Sequence, residues 1–540
     1  MKSIYELIQE QFIDFAKKSN INKLPKYSLE PPKQKNFGDL ATNIAMSFAT
    51  EFKKSPLQIA EELISFFNFP ENVFEKIEII KPGFINFFIS KNYLYEYLQN
   101  VVFSENFGKS DYGKEKKVLI EFVSANPVGP LNVVNARSAA IGNAISNLLK
   151  ESGFYVEKEY YVNNVGTQIE NFGLSIEARY LELLNKDFVF PETGYQGEYI
   201  KDIAKDIIKQ NIEPTKKNFI QFGLESIIKE QKKDLEKYGI IFDNWFYENI
   251  LHEQNKVNKC LLYLKEKDFT YKKDGAIWFK STIFQDDKDR VLVRSSEEPT
   301  YFLADIAYHF NKYERKFDWI IDLWGPDHGG HILRLKAALV ACKANFEKFE
   351  ILIIQQVSLL SNGQIVKMSK RKGEFISLND LMEEIPCDVA KFFFLIRSSN
   401  SHLDFDLELA KKTSNENPVY YVQYAYVRCY SIFSAALKKN IYLEKNINLD
   451  FLKEPEEIEL LKKFIYYPEI VLCSAIYLEP HRLVIYLLEL VTLFHSYYNK
   501  HKIISEDISL TLARLYLIKG ISIIIKKSLS ILGISIPEKM

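Results

Sequence analysis

Five cysteines in 540 residues, at positions 260, 342, 387, 429 and 473, are too few and too scattered for a disulfide framework, and no two form a Cys-x-x-Cys pair. This excludes a small disulfide scaffold and a cysteine-rich zinc module, and it fits a reducing cytoplasm. Net charge is nearly missing too, with 70 Lys+Arg against 71 Asp+Glu. A chain so balanced is not coated uniformly for nucleic acid, so any polyanion partner has to meet a locally basic face. Clean apolar runs are absent as well. The start, MKSIYELIQEQFIDFAKKS, sets Glu6, Glu10 and Asp14 inside its apolar pattern, unlike the core of a signal peptide. The most apolar late segment, GISIIIKKSLSILGISI, is broken by Lys526 and Lys527, so no membrane span or membrane partner is expected.

What is present is ordinary globular material, 47% hydrophobic and 26% charged, in a chain long enough for two to four packed units. Residues 1–110 alternate helix and strand patterns, and Ser3 with Glu6 makes a capping box for the first helix. Residues 111–386 open with the β-rich VLIEFVSA, the breaker cluster NPVGP, the helical ARSAAIGNAISNLLKESG and the strand-like FYVEKEYYVN. That order predicts a parallel βαβ unit. A mostly helical insertion at about 168–270 follows, and the alternation then resumes with WIIDLWG, PDHGGH, the helix ILRLKAALVACKA and the strand EILIIQQVSLL. Residues 387–540 read as a bundle of five or more helices. The expected class is α/β: a Rossmann-like parallel-sheet core with an N-terminal α+β domain and a C-terminal all-α bundle.

Two segments carry chemistry. Asn126, Pro127, Gly129 and Pro130 build a tight strand-to-helix turn, and the helix behind it presents free backbone N–H groups to an anion. Further on, Gly363-Gln-Ile-Val-Lys-Met-Ser-Lys-Arg-Lys-Gly373 interleaves four cations with small polar residues, a composition suited to neutralising a triphosphate. Asp327, His328 and His331 in WGPDHGGH have metal-ligand chemistry, but no further His or Cys cluster completes a set, so no protein-bound metal is expected.

Together the strings IEFVSANPVGPLNVVNAR, YYVNNVGTQ, PTYFLADIAYH, LWGPDHGGH, VKMSKRKGEFISL and NPVYYVQYAYVR, with NFGDLATNIA near the start, resemble the arginyl-tRNA synthetases of class I. The resemblance spans essentially the whole chain and implies a ligase that activates L-arginine with ATP and transfers it to the 3′ end of its tRNA. By resemblance, Asn132, Asn135, Lys367 and Lys370 are the catalytic groups, and Pro130, Asp327, His328, Met368 and Ser369 complete the ATP site. Glu121, Asn126, Asn163, Tyr301 and Asp305 form the arginine pocket, with Asp305 or Glu121 facing the guanidinium and Asn126 the backbone end. Phe37 and Asn43 in the first domain, and Tyr420, Tyr424 and Arg428 in the bundle, meet tRNA, alongside Tyr421, Gln423 and Tyr426. Mg2+ is expected to arrive on ATP oxygens. A cytoplasmic monomer is implied.

The chain departs from the family pattern where His-x-Gly-His is usual and Asn132-Val133-Val134-Asn135 stands instead. Asparagine still donates N–H bonds to phosphate but cannot become cationic, a loss of about 1–3 kcal/mol per contact. Val134 fills space that glycine leaves open, and Asn164 replaces a usual Asp. The expectation is an active enzyme in which both asparagines are neutral phosphate donors. Its rivals are a synthetase-like tRNA-binding protein without amino-acid activation, and a ligase for another small amino acid.

Overall fold

The computed structural model describes residues 2–365, 376–444 and 447–540. Its centre is a five-stranded parallel sheet in the order Phe349–Ile353, Trp319–Trp324, Lys117–Glu121, Tyr155–Val162, Asn244–Tyr247. Val118, Leu119, Ile120, Ile320 and Ile321 are completely buried, the signature of parallel strands covered on both faces. Lys117–Glu121 pairs with the next strand in sequence on one side and with Trp319–Trp324 on the other. The direction of winding therefore reverses beside it, where the crevice of an open α/β sheet lies.

The helix Val133–Glu151 follows the first strand and is buried almost all round. Its alanines let it lie close to the sheet, and at Gly142 even a Cβ would sit 2.3 Å from the Phe122 ring. Arg137, on this helix, is fully buried and donates to the carbonyls of Gln355, Gln356, Ser398 and Ser401 at 2.9–3.3 Å. Burial lowers its pKa to about 10. This one side chain ties the first βαβ unit to the segments at 355–356 and 398–401.

Two expectations about strands are corrected. EILIIQQVSLL is not one strand: Phe349–Ile353 belongs to the central sheet, while Val357–Ser361 pairs with Gln364–Ile365 and Leu403–Asp406 in a separate small sheet. The lysine-rich segment thus follows a different sheet from the one expected. The insertion is also not simply helical. After Thr167–Leu183, Glu198–Lys209 and Lys216–Lys237 it returns as Asn244–Tyr247 to form the sheet edge, because its apolar Trp245 and Phe246 stack on Tyr160 and Tyr161.

In the N-terminal part, Leu29–Glu30, Leu40–Thr42, Phe84–Ile89 and Phe74–Ile80 form an antiparallel sheet in that order. The first helix, Ile4–Lys18, has the expected Ser3–Glu6 capping box. From Cys387 the chain is helical through Cys387–Leu395, Leu407–Lys411, Pro418–Lys438, Pro455–Ile476, His481–Lys500 and Ile508–Ile531, interrupted by the strand Leu403–Asp406. Ile508–Ile531 is long and apolar enough to cross a membrane by length and composition, with mean hydropathy 1.8, but 67% of that window is buried inside the fold. Its neighbours are the helices Pro418–Lys438, Pro455–Ile476, His481–Lys500, Lys91–Phe103 and Val133–Glu151.

Candidate active site

The crevice beside Lys117–Glu121 opens into a cavity of about 1440 Å3, lined by Glu121, Asn126, Pro130, Asn132, Asn135, Asn163, Tyr301, Asp305, Asp327 and His328 together. The structure thus brings ten sequence-selected residues into one cleft. Lys367, Met368, Ser369 and Lys370 lie outside the described residues. Just beyond that segment Ser377 pairs with Asn132, and Leu378 N donates to Leu131 O at 2.7 Å.

Asn132 is the N-cap of Val133–Glu151. Its Oδ1 accepts from Val134 N at 3.0 Å and Asn135 N at 3.1 Å, while Asn135 Oδ1 accepts from Asn132 N at 3.0 Å. This reciprocal box satisfies first-turn donors, as capping requires. It also decides where the amide nitrogens point: with both oxygens turned onto the helix, both NH2 groups are left for the cleft that the two residues line. The asparagines therefore combine a cap with two neutral donors at a helix N-terminus.

The turn before them is strained. Val123 (φ 70°) and Ser124 (φ 38°) occupy the left-handed region, which costs non-glycine residues about 1–3 kcal/mol each. Val123 N donates to Ser138 Oγ at 3.2 Å, and Ser124 Oγ donates to Glu121 Oε1 at 2.8 Å. Asn126 is exposed and donates through Nδ2 to Gln168 Oε1 at 2.8 Å.

The floor of the cleft has the opposite character. The helix Tyr301–Glu314 turns Tyr301, Asp305, Tyr308, His309 and Lys312 to one side, a 4-, 7-, 8- and 11-residue spacing. Lys312, fully buried, reaches Glu121 Oε2 at 2.5 Å and Asp322 Oδ1 at 2.7 Å. Tyr308 OH lies 2.8 Å from both Glu121 and Glu159, and Arg315 holds Glu159 at 2.6 and 2.8 Å. His309 Nε2 meets Asp322 Oδ2 at 2.8 Å, and its Nδ1 lies 3.1 Å from Asp305 Oδ1. Burial works against a charge on His309, but Asp305 and Asp322 outweigh it and hold its pKa up to about 10. Burial likewise opposes charge on Lys312, yet Asp322, Glu121 and Glu159 raise its pKa.

Glu248, just past the edge strand, faces the same floor; burial raises its pKa to about 7, and Asp305 pushes in the same direction against a bond from Tyr161. Asn163, with its amide oriented to suit its neighbours, donates to Glu248 Oε2 at 2.9 Å and to Val165 O at 3.0 Å. Glu121, Glu159, Asp322 and Asp305 thus share three cations, His309, Lys312 and Arg315, while Glu248 meets Asn163, Tyr161 and, at 4.0 Å, His252; of these carboxylates Glu121, Asp305 and Glu248 line the cavity. The floor wants positive charge.

The sequence reading missed Tyr308, His309, Lys312 and Glu248. The helical spacing from Tyr301 pointed to the first three; Glu248 had no signal, since only the unexpected edge strand carries it to the cleft. Glu121 was expected as a free carboxylate for a guanidinium, but Lys312 already engages one of its oxygens. Asn164 does not face this floor: it donates to Asn249 Oδ1 at 2.8 Å and accepts from Asn249 N at 3.0 Å, anchoring the next short helix. Tyr301 is half exposed, its hydroxyl against Gly166, where a Cβ would sit 2.5 Å away. Asp327 and His328 lie on the exposed rim in the 3-10 turn Pro326–His331.

The remaining selected residues lie elsewhere. Phe37 is exposed rather than core, and Asn43 accepts from Ser28 N at 2.7 Å. Asp39 accepts from Ile89 N at 2.8 Å and pairs with Lys462 at 2.7 Å, linking the first sheet to the bundle. On Pro418–Lys438, Tyr424 is exposed, while Tyr420, Tyr421 and Tyr426 are partly buried against the core. Arg428 lies over the rings of Tyr424 and Tyr498, 4.7 and 4.3 Å from their centroids. Gln423 is buried and donates to Ser535 O at 3.1 Å, so it is not free for a base edge. Among the described residues, the group of three close metal-type ligands is Glu454, Glu456 and His501, in the bundle, where Lys500 already holds Glu456.

Family models described as the arginyl tRNA synthetase N terminal domain, the class I (R) tRNA synthetase catalytic domain and the DALR anticodon binding domain match residues 3–89, 97–402 and 422–540. The chain is 43% identical to an arginine–tRNA ligase of Caldanaerobacter subterraneus and 44% identical to one of Acetivibrio thermocellus. All of this chain is covered in both, with 97% and 100% of the relatives. It shares its fold with the arginyl-tRNA synthetase of Thermus thermophilus, at TM-score 0.80 and 21% identity over 99% of this chain and 100% of that one.

Proposed function

That this chain belongs to the arginyl-tRNA synthetase family, class I ligases joining arginine to tRNA with ATP, is the premise from which we propose how its cleft works. The observation that carries the proposal is the polarity of the cleft: a floor lined by the carboxylates Glu121, Asp305 and Glu248, and a wall of neutral N–H donors at a helix N-terminus. The first suits a guanidinium and the second suits phosphates.

The arginine side chain lies on the floor with its guanidinium between Asp305 and Glu248. Glu121 contributes the lone pairs that Lys312 leaves, and Tyr301 walls the site. Asn126 orients the α-amino and carboxylate end, and Asn163 keeps Glu248 in place. ATP lies along Pro130, Asn132 and Asn135 with Asp327 and His328 at its nucleoside end. One carboxylate oxygen of arginine attacks the α-phosphorus in line, the bond to the bridging oxygen breaks, and pyrophosphate leaves. The terminal ribose hydroxyl of tRNA then attacks the activated carbonyl and AMP departs. No covalent protein nucleophile is needed, and the gain comes from positioning and from donors aimed at developing charge. Mg2+ carried on ATP neutralises phosphate charge.

Lys367 and Lys370 supply the cations that Asn132 and Asn135 cannot. We assign residues 1–110 and 387–540 to tRNA, through Phe37 and Asn43 in the first and Tyr420, Tyr424 and Arg428 in the second. The enzyme works as a cytoplasmic monomer in this reading. The deciding experiment charges purified tRNA with labelled arginine and ATP, beside a Lys370→Ala variant and a competition by the other amino acids. Arginyl-tRNA that disappears in the variant supports the reading; tRNA binding without charging refutes it.

A further inference from the structure

We propose that Gln231, from the helical insertion, is a positioning residue that holds the phosphate-binding turn in shape for ATP. This rests on the reading above, in which ATP lies along Pro130, Asn132 and Asn135, at the end of the turn 125–130.

Gln231 sits on Lys216–Lys237 and is 1% exposed. On that helix Ile227, Ile228 and Leu235 are its buried apolar neighbours at helical spacing, so packing alone would favour another aliphatic side chain. A buried amide is tolerated only when its polar atoms are satisfied. Here they are, and every partner leads to one turn. Nε2 donates to Gly129 O at 2.9 Å and reaches Asn126 O at 3.5 Å. Oε1 accepts from the hydroxyl of Tyr160 at 2.9 Å, and that hydroxyl in turn accepts from Ala125 N at 3.1 Å. Tyr199, also from the insertion, donates to Val128 O at 2.8 Å.

Just before this turn the backbone passes through Val123 and Ser124 in the left-handed region, a conformation that persists only where the surroundings over-determine it. Carbonyls 126, 128 and 129 receive side-chain donors from outside the βαβ unit, and within the turn Val128 N donates to Asn126 O at 2.8 Å, so its shape is fixed from behind and the asparagine amides at its end stay aimed at the phosphates. Removing Gln231 would take the donor from Gly129 O and leave the Tyr160 hydroxyl with Ala125 alone, letting the turn relax, while Asp305 and Glu248 stay untouched.

The test uses the full-length protein as Gln231→Leu and Gln231→Glu, with ATP affinity measured by calorimetry and ATP–pyrophosphate exchange measured with arginine and tRNA. For Gln231→Leu the KM for ATP is expected to rise about tenfold or more and kcat to fall, with the KM for arginine changing less than about threefold. Gln231→Glu keeps the acceptor for Tyr160 but donates to Gly129 only when protonated. Its activity relative to wild type should therefore fall as pH rises through the raised range of a buried carboxyl, about pH 6 to 9. A role in packing alone predicts a flat ratio for this isosteric change. Unchanged ATP KM and kcat in a folded Gln231→Leu, or a flat Gln231→Glu ratio where the leucine variant does not fold, overturns the proposal. Wild type that binds ATP but activates no arginine refutes the arginine reading instead, and the calorimetric ratio still decides the role of Gln231. Wild type that binds no ATP overturns both.

Discussion

The two ends of the cleft solve electrostatic problems in opposite ways. At the end we propose for phosphate, Asn132 and Asn135 are neutral, partly exposed and tied to the first turn of a helix; at the end we propose for arginine, Glu121, Asp322, His309 and Lys312 are ionisable and almost fully buried. Buried charges are costly to take out of water and hold their geometry only as a complete set, so the floor should fail sharply when one member is removed. Neutral amides cost little to desolvate and act one bond at a time. The difference teaches where this enzyme tolerates variation: in the donors, whose oxygens keep a second role as caps, and not in the charge network.

The largest effect should come from Lys312→Met, which leaves Glu121 and Asp322 buried without their shared cation. A loss of about 3–5 kcal/mol of stability is expected, read as a lower denaturation midpoint; a midpoint unchanged in this variant would falsify the picture of one interdependent network. Asp305→Asn should next weaken arginine binding by about 2–5 kcal/mol, raising the KM for arginine while that for ATP stays within about twofold. Equal rises in both would place Asp305 outside the arginine end.

At the other end the effects are smaller and separable. Asn132→Ala should cost about 1–3 kcal/mol of ATP binding and about 0.5–2 kcal/mol of stability, because donor and cap are lost together. Asn132→Asp keeps the capping oxygen, so its melting should match wild type while its KM for ATP rises at least as far as in the alanine variant. If the aspartate variant binds ATP normally, the amide donor has no role. The smallest effect is in pH. Glu248, near pKa 7 in the empty cleft through burial first and Asp305 second, must be ionised to meet a guanidinium. The KM for arginine should therefore climb below pH 7, by up to about tenfold per unit, and level off above it. Glu248→Gln should abolish that slope; a slope that survives belongs to another group.

Much of this was legible in the chain itself. Two of the parallel strands announce themselves as short, mostly apolar runs at 117–121 and 319–324, and the turn at 126–130 by its breakers, because local sterics and burial of both sheet faces leave those residues few alternatives. Residue types likewise mark the phosphate end, since capping asparagines and a strand-to-helix turn are local features. Tertiary packing alone decided the rest. Asn244–Tyr247 became the edge strand of the central sheet because stacking on Tyr160 and Tyr161 rewarded it, and it carried Glu248 to the floor. Lys312 took one of the oxygens of Glu121 from 191 residues away, and Gln231 reached the phosphate turn across 102 residues. A local pattern specifies which face of an element is apolar, but the partner of a buried polar group is chosen by whatever distant segment the fold brings within hydrogen-bond reach.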